Sequence, residues 1–364
     1  MTQSGTTRRL GFVCFGLLAG LLIAGLWPFN FFPRNRVSWL QNQNGLHFDR
    51  YGEIYSPALW SPRAAGSEEG FSIELWLRGE TNYRTYSPFV IIGDPLHTDN
   101  FVIAQSLSDL VVQGRFRDNS NPVGVAKLWM NGACRQGRPR FLTITSGAQG
   151  TTVYLEGAVV NAYPNLTLTA NNFSGRLLLG HAPEGQEVWS GDLLGLAFYP
   201  RTLAPSEVSE HYQAWRESRT AELVKSGAAV YPFDEHAGHV AHDRANTMPD
   251  LVIPERFRVL HDTPLEVPAK PSLSDLQDAV VNILGFVPFG FLLAVYFQKA
   301  ADYSRGRALL ITIVFGVVTS VVIELLQVYL PSRDSSLLDV INNSVGTALG
   351  ALIPPSIIRW KSFL

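Results

Sequence analysis

Residues Val321–Leu352 read "VVIELLQVYLPSRDSSLLDVINNSVGTALGAL", and this stretch decides the fold. It is apolar enough for a bilayer, yet it holds Glu324, Gln327, Asp339, Asn342 and Asn343. An acid near the middle of a membrane helix costs about 2.5 kcal/mol or more to insert. Such groups are expected to face neighbouring helices or a guest molecule and to avoid lipid.

Working outward, four apolar runs are long enough to matter: Leu10–Trp27, Ala279–Phe297, Ala308–Leu330 and Leu337–Ile358. About 20 helical residues, at 1.5 Å each, cross the roughly 30 Å hydrocarbon layer. Arg8 and Arg9 before the first run fit a signal peptide. No small-x-small cleavage pattern follows, however, and "WPFNFF" reads as an interfacial aromatic belt, so an uncleaved anchor is expected. Pro354 and Pro355 sit near the end of the fourth run. Lys299, Arg305 and Arg307 lie between the second and third runs, and Arg359 and Lys361 follow the fourth. With four spans, all of these basic residues fall on one side, which the positive-inside rule makes cytoplasmic. Both termini are then cytoplasmic, and residues 28–278 and the loop Pro331–Ser336 lie outside.

Composition agrees with this division. The chain has 364 residues, which predicts about two domains. Its net charge of −2 offers nothing to nucleic acid. Charged residues make up 16%, below the roughly 25% usual in soluble proteins, and the deficit is concentrated at the two ends. Cys14 and Cys134 form neither a disulfide framework nor a zinc spacing. The cysteines imply no metal site, and no cofactor is implied.

The middle, residues 45–268, reads as short strands between turns. In "GFSIELWLRG", Phe71, Ile73, Leu75 and Leu77 share one face. "RFLTITSG", "TTVYLEGAVV" and "GRLLLGHA" repeat the pattern, with glycines at the turns. An all-β sandwich is expected. "FSIELWLRG", "TVYLEGAVV" and "GRLLLGHAPEGQEVWSGDLLGLAFYPRTLAPSEVSEHY" resemble the laminin-G/concanavalin A-like sandwich. The resemblance rests on Gly191 and Asp192 in a late strand and on Arg201, Leu203, Glu207 and Val208 at the start of a short helix. "AVYPFDEHAGHVAHDRA", after that helix, reads as a permuted or completing strand.

That family includes sugar binders, calcium sites and glycanases. A glycanase needs two carboxylates flanking the cleaved bond. Glu74 stands alone in its strand, so a binding or scaffolding module is expected. Asp234, Glu235, His236, His239, His242 and Asp243 form a polar cluster that reads either as a solvated turn or as a metal or ligand site. Asn165 and Asn172 head N-x-S/T sequons.

In the four-span arrangement the intramembrane polar groups share one layer. Asn282 lies about 5 Å below the outer boundary, Glu324 about 9 Å, and Asn342 and Asn343 under about 10 Å. Ser320, Glu324 and Gln327 follow i, i+4, i+7 on one helix side. Asp339, Asn342, Asn343, Gly346 and Gly350 are expected on one side of the next helix. There Gly346 and Gly350 make a G-x-x-x-G pair for close helix packing. Arg333 and Asp334 cap the layer from the loop. The alternative is that these side chains only fasten helices together, at about 0.6 kcal/mol per contact.

"NILGFVPFG", "ELLQ" and "RDSSLLDVINNSVG" resemble the VanZ-like membrane family. The ordered set is Asn282, Pro288, Gly290, Glu324, Gln327, Arg333, Asp339, Asn342 and Gly346, and "WPFNFFP" resembles the segment after that family's first helix. The resemblance covers residues 1–35 and 279–364 and makes the β domain an insertion between the first and second spans. It implies a bacterial cytoplasmic-membrane protein whose founding relative is linked to teicoplanin-type glycopeptide resistance.

Three functions follow as alternatives. The first is an envelope binding protein: its outer-leaflet site (Asn282, Glu324, Gln327, Arg333, Asp334, Asp339, Asn342, Asn343) holds a membrane lipid or lipid-linked cell-wall precursor, while the sandwich grips a glycan or envelope protein. The second is an enzyme acting on such a lipid, with Glu324 or Asp339 as general base; no nucleophile–base pair is evident, since Ser335 and Ser336 have no histidine nearby in sequence. The third is an anchored adhesion or assembly module.

Overall fold

The computed structural model describes residues 3–59, 70–80, 86–94, 97–118, 121–168, 170–181, 188–225, 229–257, 264–267 and 273–355. Six helices are described: α1 (Gln3–Leu26), α2 (Pro205–Arg216), α3 (Thr220–Val224), α4 (Leu273–Ala300), α5 (Arg305–Gln327) and α6 (Leu337–Leu352). The chain divides into two compact units, Met1–Phe32 with Asp262–Leu364, and Pro33–His261.

The first unit is helical. Thr7–Leu26, Leu276–Ala300 and Arg305–Gln327 are long and apolar enough to cross a membrane. The fourth apolar run forms α6, whose 16 residues span about 24 Å at 1.5 Å per residue. Its helix stops at Leu352, just before Pro354 and Pro355, because proline supplies no amide hydrogen and clashes with the preceding turn.

Polarity in this unit is inverted relative to a soluble bundle. On α5 the buried face carries Thr312, Gly316, Thr319, Ser320, Glu324 and Gln327, while Leu310, Val314, Val318 and Leu325 are exposed. Lipid is as apolar as leucine, so only close packing and hydrogen bonds hold such helices together. Small residues let α4 and α6 approach. A Cβ built on Gly346 would collide with the Ile283 carbonyl oxygen, one on Gly350 with that of Val287, and one on Gly290 with that of Thr347. Residues 264–267 also dock in this unit. The Glu266 N–H donates to the Ser335 carbonyl at 3.0 Å, and the Leu337 N–H donates to the Glu266 carbonyl at 3.1 Å.

The second unit is a sandwich of two antiparallel sheets, each with eight strands among the described residues. One runs Val37–Trp39, Leu46–Phe48, Gly191–Tyr199, Phe71–Gly79, Arg140–Gly147, Gly150–Leu155, Ala158–Tyr163, and Ala229–Tyr231 also pairs with Gly191–Tyr199. The other runs Val240–Ala241, Leu251–Val252, Ile54–Tyr55, Arg176–Leu179, Ser87–Asp94, His97–Ser106, Asp109–Asp118, Asn121–Met130. The alternation in Phe71–Gly79 sends Phe71, Ile73, Leu75 and Leu77 into a core shared with Phe48, Phe89 and Trp189. Burying side chains of this size contributes roughly 1.5–3 kcal/mol each. The segment after the helices completes both sheets at once, Ala229–Tyr231 in one and Val240–Ala241 with Leu251–Val252 in the other.

The other face of strand Phe71–Gly79 is not solvated. Ser72 and Glu74 are fully buried, because α2 packs over them through Val208, Ala214 and Trp215, with Leu203 just before it. Proline at its first turn and a Glu207 side chain accepting the Ala204 N–H at 2.8 Å start that helix. Where the chain enters and leaves the sandwich, the two segments are hydrogen-bonded side by side. Arg34 and Arg256 form an antiparallel bridge, the Asn35 N–H donates to the Glu255 carbonyl at 3.1 Å, and the Phe257 N–H to the Pro33 carbonyl at 2.9 Å.

A buried polar layer as candidate functional site

The helical period places Ser320, Glu324 and Gln327 on one side of α5, and all three are buried. Glu324 Oε2 accepts the Ser336 N–H at 2.9 Å, so this carboxylate serves the backbone at the start of α6. Asn343, in the second turn of α6, donates from Nδ2 to Ser320 Oγ at 2.9 Å and ties α6 to α5. Gln327 Nε2 donates to the Gly25 carbonyl at 2.9 Å. Arg333 Nε and one terminal nitrogen donate to the carbonyls of Trp27 and Ala24, each at 3.3 Å. The last carbonyls of α1 have no partner within their own helix, and a cation there also meets the negative end of the helix dipole. Two side chains from α5 and its loop thus cap α1.

The remaining predicted positions lie around this centre. Asp339 is half-buried in the first turn of α6, and Asn342 is half-buried beside Asn343. Asp334 is exposed in the loop, and Asn282 is half-buried on α4. The buried side of α6 is Val340, Asn343, Gly346, Thr347, Gly350 and Ala351, so Asn342 and Asp339 stand at its margin. Ser335 is buried and its Oγ accepts the Leu265 N–H at 3.0 Å.

In the sandwich, Glu74 is enclosed by donors the sequence pattern does not announce. Tyr199 Oη and Trp215 Nε1 donate to Oε2 at 2.8 and 3.0 Å, and His211 Nδ1 lies 2.8 Å from Oε1. These partners sit 125 to 141 residues away in the chain, which is why spacing could not reveal them. The polar cluster of the 230s and 240s is organised as a turn. Asp243 accepts the N–H groups of Val230, Ala245, Thr247 and Met248 at 2.7–3.0 Å. Arg244 pairs with Asp234, whose hydrogen bond holds the guanidinium still more firmly protonated. Glu235 accepts the His242 N–H, and His242 lies 2.9 Å from Asp250. The rings of His236 and His239 approach the backbone carbonyls of Leu40 and Ile253. No group of three or more His, Cys, Asp or Glu suited to a metal occurs among the described residues. Asn172 is buried and its amide donates to the Asn100 carbonyl at 3.0 Å, which leaves that sequon inaccessible.

An open cleft of about 580 Å³ lies beside α2. Trp76, Phe141, Tyr212 and Trp215 supply rings, and Asn42, Gln43 and Asn44 supply amides. Tyr212 stacks on Trp76 and Phe141 with ring centroids 6.1 and 5.6 Å apart. The four rings come from strands and a helix far apart in sequence, and no motif predicts their meeting. Cys134 is buried in the core, and burial pushes its thiol up to about 12.

The VanZ/LLP1 family model matches residues 208–359, and the model of the concanavalin A-like lectin/glucanases superfamily matches residues 54–209. The first match begins within α2, inside the sandwich unit. No curated protein matches the chain. Among solved structures, the chain is similar to the binding domain of botulinum neurotoxin DC in complex with rat synaptotagmin II, at 14% identity over 50% of this chain and 45% of that one, with a TM-score of 0.36. It is similar to the receptor binding domain of botulinum neurotoxin D at 12% identity over 49% and 46%, TM-score 0.36. The native heptameric SAP-like pentraxin from Limulus polyphemus matches at 13% identity over 48% and 78%, TM-score 0.32. The chain spans less than half the length of the two neurotoxin structures.

Proposed function

We propose that this chain, which joins a VanZ/LLP1 domain to a concanavalin A-like sandwich, is a multi-pass binding protein of the bacterial cell envelope. Its membrane unit holds a lipid headgroup or lipid-linked precursor in the outer leaflet, and its sandwich binds a glycan or envelope protein outside. The observation that carries this reading is the burial of Glu324, Gln327, Ser320 and Asn343 within a helical unit whose outer faces are apolar. In this reading α6 makes the fourth crossing, and a helix of about 24 Å fits a locally thinned bilayer. Both termini are cytoplasmic and residues 28–278 extracytoplasmic, as the basic residues favour. The aromatic and amide cleft beside α2 supports a sugar ligand, since ring faces and amides together match a polyhydroxylated ring. A part in glycopeptide resistance would follow from capture of a lipid-linked wall precursor.

The test is lipid capture by purified full-length protein, wild type against a folded Glu324→Gln, Asp339→Asn double variant. Loss of the captured lipid in the variant is expected; unchanged capture sinks the site. A second reading, an anchored assembly module, is favoured by the bonds from Gln327 and Arg333 to α1 carbonyls, which are fastening contacts. It predicts that the double variant changes stability and no binding. An enzyme acting on the same lipid would instead show product by mass when incubated with envelope lipids.

A further inference from the structure

The polar layer holds two buried amide oxygens without a donor among the described residues. Gln327 and Asn343 are 7% and 4% exposed, and Gln327 Oε1 and Asn343 Oδ1 have no hydrogen-bond partner among the described residues. The Gln327 amide cannot be reversed, because its nitrogen donates to the Gly25 carbonyl and reversal would set two oxygens against each other. For Asn343 the Ser320 hydroxyl could donate to a reversed amide, so Gln327 is the stronger of the two observations. Glu324 is 2% exposed, and its carboxylate has about four lone-pair positions. The Ser336 N–H takes one of them. Arg333 directs two of its donors to α1 carbonyls. A buried acceptor left unmade is costly, and in a bilayer core bulk water does not repay it.

We infer that the layer receives a primary ammonium, as carried by an aminoethyl phosphate headgroup. This rests on the headgroup reading above and names its chemical class. A primary ammonium brings three N–H donors and one positive charge, so it can serve Gln327 Oε1 and Glu324 together while neutralising the carboxylate. A trimethylated ammonium has the charge without the donors. A glycerol headgroup has hydroxyl donors, but its only charge is negative and meets Glu324 and Asp339.

The experiment is native mass spectrometry of the detergent-purified full chain mixed with lipids of identical acyl chains. The headgroups are phosphatidylethanolamine, its N-monomethyl and N,N-dimethyl forms, phosphatidylcholine and phosphatidylglycerol. Retention by wild type is expected to fall by about 2- to 10-fold for each lost donor. Because this series needs no variant, it decides the question even where Glu324→Gln fails to fold. A folded Glu324→Gln protein is expected to lose retention of the whole series, and a folded Gln327→Leu protein to show a shallower gradient across it. Flat retention by wild type overturns the ammonium. Preference for phosphatidylglycerol that Glu324→Gln abolishes also overturns the ammonium and leaves the headgroup site standing. Retention of none of the lipids, unchanged by Glu324→Gln, overturns both. Adding phosphoethanolamine separates sources: displacement of the bound lipid by it assigns recognition to the headgroup alone, and binding of it without lipid retention supports the ammonium on a soluble carrier.

Discussion

Glu74 and Glu324 are both buried acids, and the contrast between them explains how the two units use polarity. Glu74 lies in the sandwich and is ringed by a tyrosine, a tryptophan and a histidine, each from an element that must be in place. It is a fastener that holds α2 on the sheet. Glu324 lies among helices with apolar outer faces, with a backbone N–H on one oxygen and, among the described residues, unpartnered amide oxygens in the same layer. A satisfied buried network fixes a fold, while a partly satisfied one is high in energy until something completes it. Burial alone thus does not distinguish the two acids; the donors around them do.

The largest effect should come from the satisfied acid. Glu74→Ala leaves three donors facing a hole, and a loss of about 3–5 kcal/mol is expected from denaturant unfolding of the full chain. Cys134 provides a convenient signal, since its buried thiol should react with iodoacetamide only on unfolding. A loss under about 1 kcal/mol would remove the contrast. Next comes Gly350→Ala, whose methyl meets the Val287 carbonyl and should cost about 1–3 kcal/mol in detergent unfolding. No change there would mean that α4 and α6 part easily and that the layer's geometry is not enforced by small residues.

Glu324→Gln keeps an oxygen for the Ser336 N–H, so its stability should shift by no more than about 1 kcal/mol while lipid capture is lost. A loss as large as that of Glu74→Ala would make the two acids equivalent. The smallest effect belongs to a third acid, Glu207, which is one-third exposed. The paired hydrogen bonds from Arg201 hold its carboxyl below the usual carboxylate range, ahead of smaller contributions from the Ala204 N–H. A depressed carboxyl contributes stability above its unfolded value of about 4.3, lost as pH falls through the folded value. Wild type and Glu207→Gln melting curves should therefore differ by under about 1 kcal/mol at neutral pH and converge in acid.

Local order was legible in the sequence, and long-range partnership was not. Alternation in Phe71–Gly79 and the apolar runs of α1, α4 and α5 declare strands and membrane-length helices, because period and length are properties of neighbours. The i, i+4, i+7 spacing of Ser320, Glu324 and Gln327 likewise reveals a shared face. It does not reveal that Gln327 and Arg333 reach α1, some 300 residues earlier. The same limit hid Glu74: a polar residue on an alternating strand reads as solvated until a helix is known to cover it. On α6 the buried side runs through Asn343, Gly346 and Gly350, and a helical wheel leaves Asn342 about 100° away from Asn343.

The paired segments at Arg34 and Arg256 carry one more lesson. A lobe of more than 200 residues enters and exits through neighbouring strands, so it demands of its host only two chain ends about 5 Å apart. An ordinary turn between two membrane helices makes the same demand. Such a lobe can be grafted into, or cut from, a loop between two helices at little entropic cost, which makes the sandwich exchangeable while the helical unit keeps its seams.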